Sequence, residues 1–187
     1  MSRSLAIALA GCGAAAPAPI APASEPDFAI TDTAIGPITA TTPASLVALR
    51  AAMPRYEVAP AHTGDRLEYR VFDHGKQLFA VVPEPATGLV RDVQIATTRV
   101  VAKHGWRTGG TLADGDLVTG CECVDHIALC YVSGEHVAVA FARSCEKLRR
   151  IQKRRMFQGA TIDHLVWRPR PFGEVAEPDP GEDEPVD

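Results

Sequence analysis

No stretch of this chain approaches the about 20 consecutive apolar residues that a membrane-crossing helix requires, so a transmembrane helix is excluded; the wholly apolar run near the start covers only residues 5–10. Aromatic side chains are sparse at 6%, and none interleaves with the basic run at residues 147–155. Single-stranded nucleic acid, which is held by stacking on such rings, is therefore excluded as a partner. Signatures that would name a reaction are also missing. There is no H-E-x-x-H pair, no G-x-S-x-G nucleophile elbow around Ser144, and no lysine at phosphate-loop spacing after Gly109-Gly110-Thr111. No repeat of solenoid or propeller length is present. The sequence offers no catalytic residues, no metal site and no cofactor motif.

What the chain does have is Leu9-Ala10-Gly11-Cys12 directly after that short apolar run, with Arg3 ahead of it. A charged start, an apolar stretch and small residues before a cleavage point define an export signal. A cysteine at this place is the acceptor of a lipid in bacterial lipoproteins. The expectation is cleavage after Gly11, lipidation of Cys12, and durable anchoring by several acyl chains, since one chain alone binds only marginally. Gly13 follows the cysteine where an aspartate would favour retention in an inner membrane, so the outer membrane, facing the periplasm, is the expected location. Residues 13–26 are Ala-, Pro- and Ser-rich and suit an extended tether.

The net charge of −4 is unevenly spread. Seven of the 23 acidic residues and none of the 19 basic ones lie in residues 174–187, so residues 1–173 carry 19 basic against 16 acidic side chains, or +3. That end reads as a disordered acidic tail from residue 173. The organisation expected is a signal peptide at 1–11, a lipidated tether at 12–26, a folded domain at 27–172 and the tail at 173–187.

Four cysteines besides Cys12 remain: Cys121, Cys123, Cys130 and Cys145. An even number in an exported chain points to two disulfides, with three possible connectivities. A two-residue turn at Asp125-His126 would oppose Cys121 to Cys130, leaving Cys123 to reach Cys145. The rival is a zinc site on the same thiols, although C-x-C-x6-C-x14-C lacks paired C-x2-C knuckles.

Along the domain, residues 28–31 read as a strand. Thr42 would cap a helix with Pro43 at its first position, turning Leu46, Leu49 and Met53 inward and ending before Pro54. Leu67, Tyr69 and Val71 alternate with Arg66, Glu68 and Arg70, and His74-Gly75 turns the chain into residues 77–82, giving a hairpin. Further strands are expected at 89–95, 99–102, around 121–131, at 136–141 and at 162–167, with a short helical turn from Thr111. Residues 144–158 are helical by composition and Gly159 is a C-terminal cap. The total is an α+β domain, mostly antiparallel sheet with about two helices and stabilised by disulfides.

On that second helix Lys147, Arg149, Arg150, Lys153, Arg154 and Arg155 would spread over the outer surface. They could bind an anionic envelope component or lipid; as a solvated face they could equally meet the acidic tail. The lipobox, Ile35-Gly36-Pro37-Ile38, the Thr42-Pro43 start, the cysteine-bearing hairpin and Ile162-Asp163-His164-Leu165-Val166-Trp167-Arg168-Pro169 together resemble the sigma-E-regulated lipoproteins of bacteria. The resemblance implies an envelope lipoprotein with a mostly β domain and no assigned enzymatic activity; the basic run and acidic tail depart from that pattern.

Two functions follow as expectations. One is a non-catalytic binding or structural role in the envelope. The other is a periplasmic hydrolase or small-ligand enzyme. The second requires two or more of His74, His104, His126, His136 and His164 to converge with a carboxylate in one concave pocket.

Overall fold

Alternation and turn chemistry build the domain strand by strand. The structure, a computed structural model, describes residues 28–113, 117–124, 126–142, 145 and 157–174. A two-stranded ribbon comes first, β1 (Ala34–Ile35) and β2 (Ile38–Thr39), followed by helix α1 (Leu46–Ala52). Then come β3 (Glu57–Thr63), β4 (Arg66–Asp73), β5 (Lys76–Pro83), β6 (Val90–Ile95), β7 (Gly120–Val124), β8 (Ile127–Tyr131), β9 (Val137–Phe141) and β10 (His164–Trp167). Strands β3 to β10 form one sheet in the order β3-β4-β5-β6-β10-β9-β8-β7, and every pairing is antiparallel.

The β4–β5 hairpin follows directly from its sequence. Asp73 pairs with Lys76, so His74 and Gly75 are the two loop residues, with φ of 48° and 74°. Two positive values are what a type I′ turn demands, and its twist matches that of the flanking strands. The longer-range step is the insertion of β10 between β6 and β9, with Leu165 opposite Ile95 on one side and Val139 on the other. Continuous apolar runs in β5 and β9 are buried on both faces, as central strands should be.

One face of the sheet carries the main core. Val71, Phe79, Val81, Ile95, Leu165 and Trp167 lie there in register, all fully buried. Leu49 of α1 and Met53, the residue that caps its end, cover it, together with Phe28, Ile35 and Ile38 from the segment before the helix. The Trp167 indole N–H donates to the Thr31 carbonyl at 3.0 Å, which ties β10 to that segment. A smaller cluster of Leu129, Ala138, Ala140, Val166 and Phe172 lies on the other face.

Both disulfides are formed. Cys121 and Cys130 are directly opposed residues of β7 and β8, and Cys123 reaches Cys145. All four thiols are thereby consumed, so the zinc alternative is overturned at these cysteines.

The expected fold class needs correction. The domain is predominantly antiparallel β, and α1 is the single helix among the described residues, so an α+β domain with about two helices is not what forms. The expected second helix at 144–158 falls outside the described residues apart from Cys145 and the turn residues at 157–158. The first helix also begins later than its sequence suggested. Residues 42–44 are taken by a bridge, with Pro43 opposite Leu89 and the Ala44 N–H donating to the Gly88 carbonyl at 2.8 Å. Ser45 is the cap instead, its hydroxyl accepting from the Ala48 N–H. Tertiary pairing has overridden a local start signal.

Three further segments depart from expectation. Residues 28–31 form no strand beyond a single bridge of Ile30 to Ile35. Residues 99–102 form no strand, because the Ala102 N–H donates to the Trp106 carbonyl and the chain folds back on itself. Thr111 starts no helical turn; it bridges to Thr161. Among the described residues no helix is long and apolar enough to cross a membrane.

Candidate functional site

Three segments far apart in sequence meet at one concave pocket of about 370 Å³. Ile30, Thr31 and Asp32 come from the stretch before β1. Lys103, His104 and Trp106 come from the loop after β6, and Glu135 and His136 from the turn leading into β9. The loop is shaped by its own backbone: the Gly105 N–H donates to the Ala102 carbonyl while Ala102 donates to Trp106. The turn before β9 is fixed because the Glu135 carbonyl accepts from the Phe172 N–H and the His136 carbonyl from the Arg168 N–H.

Glu135 organises the polar side. Its Oε1 accepts from Lys103 Nζ at 3.0 Å, and its Oε2 lies 2.7 Å from His104 Nε2. Burial by itself would raise the Glu135 pKa, but the hydrogen bonds from Lys103 and His104, with their charges, outweigh it and hold the carboxyl below its ordinary range. The same hydrogen bond, followed by the charge of Glu135, raises the pKa of Lys103. An ionised carboxylate can only accept, so His104 donates through Nε2, and in its neutral form Nδ1 holds the lone pair.

His136 is oriented in the same way. Its Nδ1 lies 2.8 Å from the Arg168 carbonyl. A carbonyl only accepts, so Nδ1 carries the proton and the neutral ring keeps its lone pair on Nε2. The indole of Trp106 is buried, and among the described residues its N–H has no hydrogen-bond partner. An unsatisfied buried donor costs about 1–3 kcal/mol. His104 packs against it, ring centroids 4.9 Å apart. Asp32 is exposed, and among the described residues it makes no salt bridge or hydrogen bond, although its charge is felt by Lys103.

Two of the five histidines singled out in the sequence, His104 and His136, thus converge with a carboxylate. The other three do not. His74 is exposed at its turn, His126 sits in a turn at φ 67°, and His164 faces Asp163 at 2.8 Å. Among the described residues no group of three or more His, Cys, Asp or Glu side chains is placed to hold a metal ion. The fold brings Glu135 and His136 together with residues 103–106. Lys103, Asp32 and Trp106 carried no motif.

Leu9, Ala10, Gly11 and Cys12 lie outside the described residues, as do Lys147, Arg149, Arg150, Lys153, Arg154 and Arg155.

Fold and site define a disulfide-bonded, predominantly antiparallel β domain that carries a mixed polar and apolar pocket. No protein-family profile matches the chain, and no curated protein is similar to it. A solved structure does share the fold: the uncharacterised protein YfeY from Escherichia coli, with a TM-score of 0.55 at 16% identity. The match covers 75% of this chain and 99% of YfeY.

Proposed function

We propose that this chain is a bacterial envelope lipoprotein, akin to the sigma-E-regulated lipoproteins, that acts by binding rather than catalysis. It hangs from a lipid on Cys12, with residues 13–26 as tether and the β domain on the periplasmic side of the outer membrane. The two disulfides carry the reading, because paired thiols persist in oxidising compartments and are rare in the cytosol. The tetrapeptide Leu9-Ala10-Gly11-Cys12 and the fold shared with a bacterial protein add support. The basic run from Lys147 to Arg155 would meet an anionic envelope component.

Intact mass of the protein from its native membrane, alkylated with and without reduction, tests this. The expected species begins at Cys12, carries acyl additions, and exposes four thiols only after reduction. A chain that keeps Met1 and labels freely would overturn it.

A second reading, a periplasmic hydrolase, is favoured by one observation: His104 and His136 both line the pocket with Glu135. His104, held by Glu135, would act as a general base through Nδ1 on a bound water. Turnover of ester or amide substrates that disappears in His104→Ala would establish this reading; substrates that bind without turnover would dismiss it.

A further inference from the structure

On the face of the sheet turned away from α1, a recess is lined by Arg66 of β4, Arg91 of β6 and Arg168 just after β10, with Asp92 as the one carboxylate in the described lining. Asp92 is buried and accepts from Arg91 Nε at 2.9 Å, while Arg168 Nη1 donates to Glu122 at 2.8 Å. Counting Glu122 and the adjoining Arg70–Glu68 pair, four guanidiniums meet three carboxylates, so a positive excess remains. Among the described residues the Arg91 and Arg168 guanidiniums each make that one hydrogen bond, although each has five N–H groups to give. Their side chains stay 34% and 23% exposed.

The chain leaves the described domain beside this recess. Phe172 packs on the same face with Leu129 and Val166, which also line the recess, and the Arg168 guanidinium lies 4.5 Å from its ring centroid. The acidic end starts two residues later, with seven acidic residues and no basic ones from 174 to 187. We propose that this end of the chain folds back over the recess and sets Glu177 and Asp179 on Arg91 and Arg168. Strands β6 and β10 are neighbours, about 4.8 Å apart. An extended residue advances about 3.3 Å, so the three steps from Glu174 to Glu177 reach about 10 Å, enough to span both arginines. Glu177 and Asp179 each precede a proline, which favours that extended backbone. The rings of Pro178 and Pro180 lie against the half-buried Val124 and Ile127. Single exposed ion pairs are weak, but a short tether holds the carboxylates at an effective concentration in the millimolar range. The contact is autoinhibitory, because an external polyanion gains these arginines only by displacing the chain's own carboxylates. It depends neither on the lipid nor on the pocket around Glu135.

Arg50 makes the test internally controlled, since its guanidinium on α1 donates to the Val58 carbonyl. The full chain, labelled at its arginine nitrogens, is compared at low salt with a variant carrying Glu177→Gln and Asp179→Asn. Neither substitution touches the described domain, so its folding is not at stake. The Arg91 and Arg168 Nε resonances are expected to move between the two chains while Arg50 stays in place. In the wild type, raising salt from about 20 mM to about 500 mM should carry them at least halfway to their positions in the variant. A second variant, Glu182→Gln with Asp183→Asn, loses the same charge further along and should move them less than half as far. Equal movement by both variants would mean a diffuse field without docking and overturns the proposal. Absence of movement, or movement of Arg50 as large as that of Arg91, overturns it too. So does movement confined to the arginines of residues 149–155, which would put the acidic end on that run instead.

Discussion

Glu135 Oε2 lies 2.7 Å from His104 Nε2 across 31 residues of sequence. That contact joins the loop after β6 to the turn before β9, and it fixes which imidazole nitrogen of His104 is free. Because Lys103 occupies the other carboxylate oxygen, both oxygens of Glu135 are used by the protein itself.

Acid should therefore release the contact. The Glu135 carboxyl is held below its ordinary pKa of 4.5, so it adds stability above that value and loses it as pH falls through the folded pKa. Thermal unfolding followed from about pH 6 down to about pH 3 should show a larger loss for the wild type than for Glu135→Gln. Parallel curves would show that the pair contributes nothing.

Breaking either disulfide should destabilise the domain. Cys121–Cys130 and Cys123–Cys145 close separations of 9 and 22 residues, for which chain entropy gives about 3 kcal/mol each. Urea titration of Cys121→Ser with Cys130→Ser, and of Cys123→Ser with Cys145→Ser, measures this. The two losses should not add in full, since the loops overlap and share β8.

Gly36 should not accept a side chain. Its φ is +54°, and a Cβ there would run into the ring of Phe28, a buried residue of the main core. Gly36→Ala is expected to cost more than about 1 kcal/mol, combining left-handed strain with displacement of that ring. A variant as stable as the wild type in urea would refute this.

Trp167→Phe removes the one indole hydrogen bond that ties β10 to the segment before β1, and leaves the Thr31 carbonyl without that donor. A loss of about 1–2 kcal/mol is expected. Hydrogen exchange should rise in residues 28–35 more than in β4, whose pairings lie elsewhere in the sheet. A uniform rise across the sheet would count against such a local tie.

Legibility in the sequence tracked the distance over which each decision is made. Leu67, Tyr69 and Val71 alternated with charged residues and His74-Gly75 supplied the turn, so β4 and β5 could be placed with their loop residues. The start of α1 was misread because Thr42 and Pro43 carry a strong local signal, while the bridge of Pro43 to Leu89 that cancels it is formed 46 positions away. Glu135 meets Lys103 and His104, and His136 the Arg168 carbonyl, yet no spacing in the sequence connects these residues. Trp106 gave no sign that its N–H would be buried without an acceptor.

By itself, then, the amino-acid sequence determined what depends on neighbours a few residues apart: strand alternation, hairpin turns, and the opposition of Cys121 to Cys130 across a short turn. Tertiary structure decided the rest. The insertion of β10 between β6 and β9 needs whole faces to be buried together, and residues 96–163 intervene between those first two strands. The pocket exists only once three separate segments have been packed around the end of that sheet. Its orphan donor, its oriented imidazoles and its paired carboxylate are properties of the packing, because each depends on which polar group the fold leaves without, or supplies with, a partner.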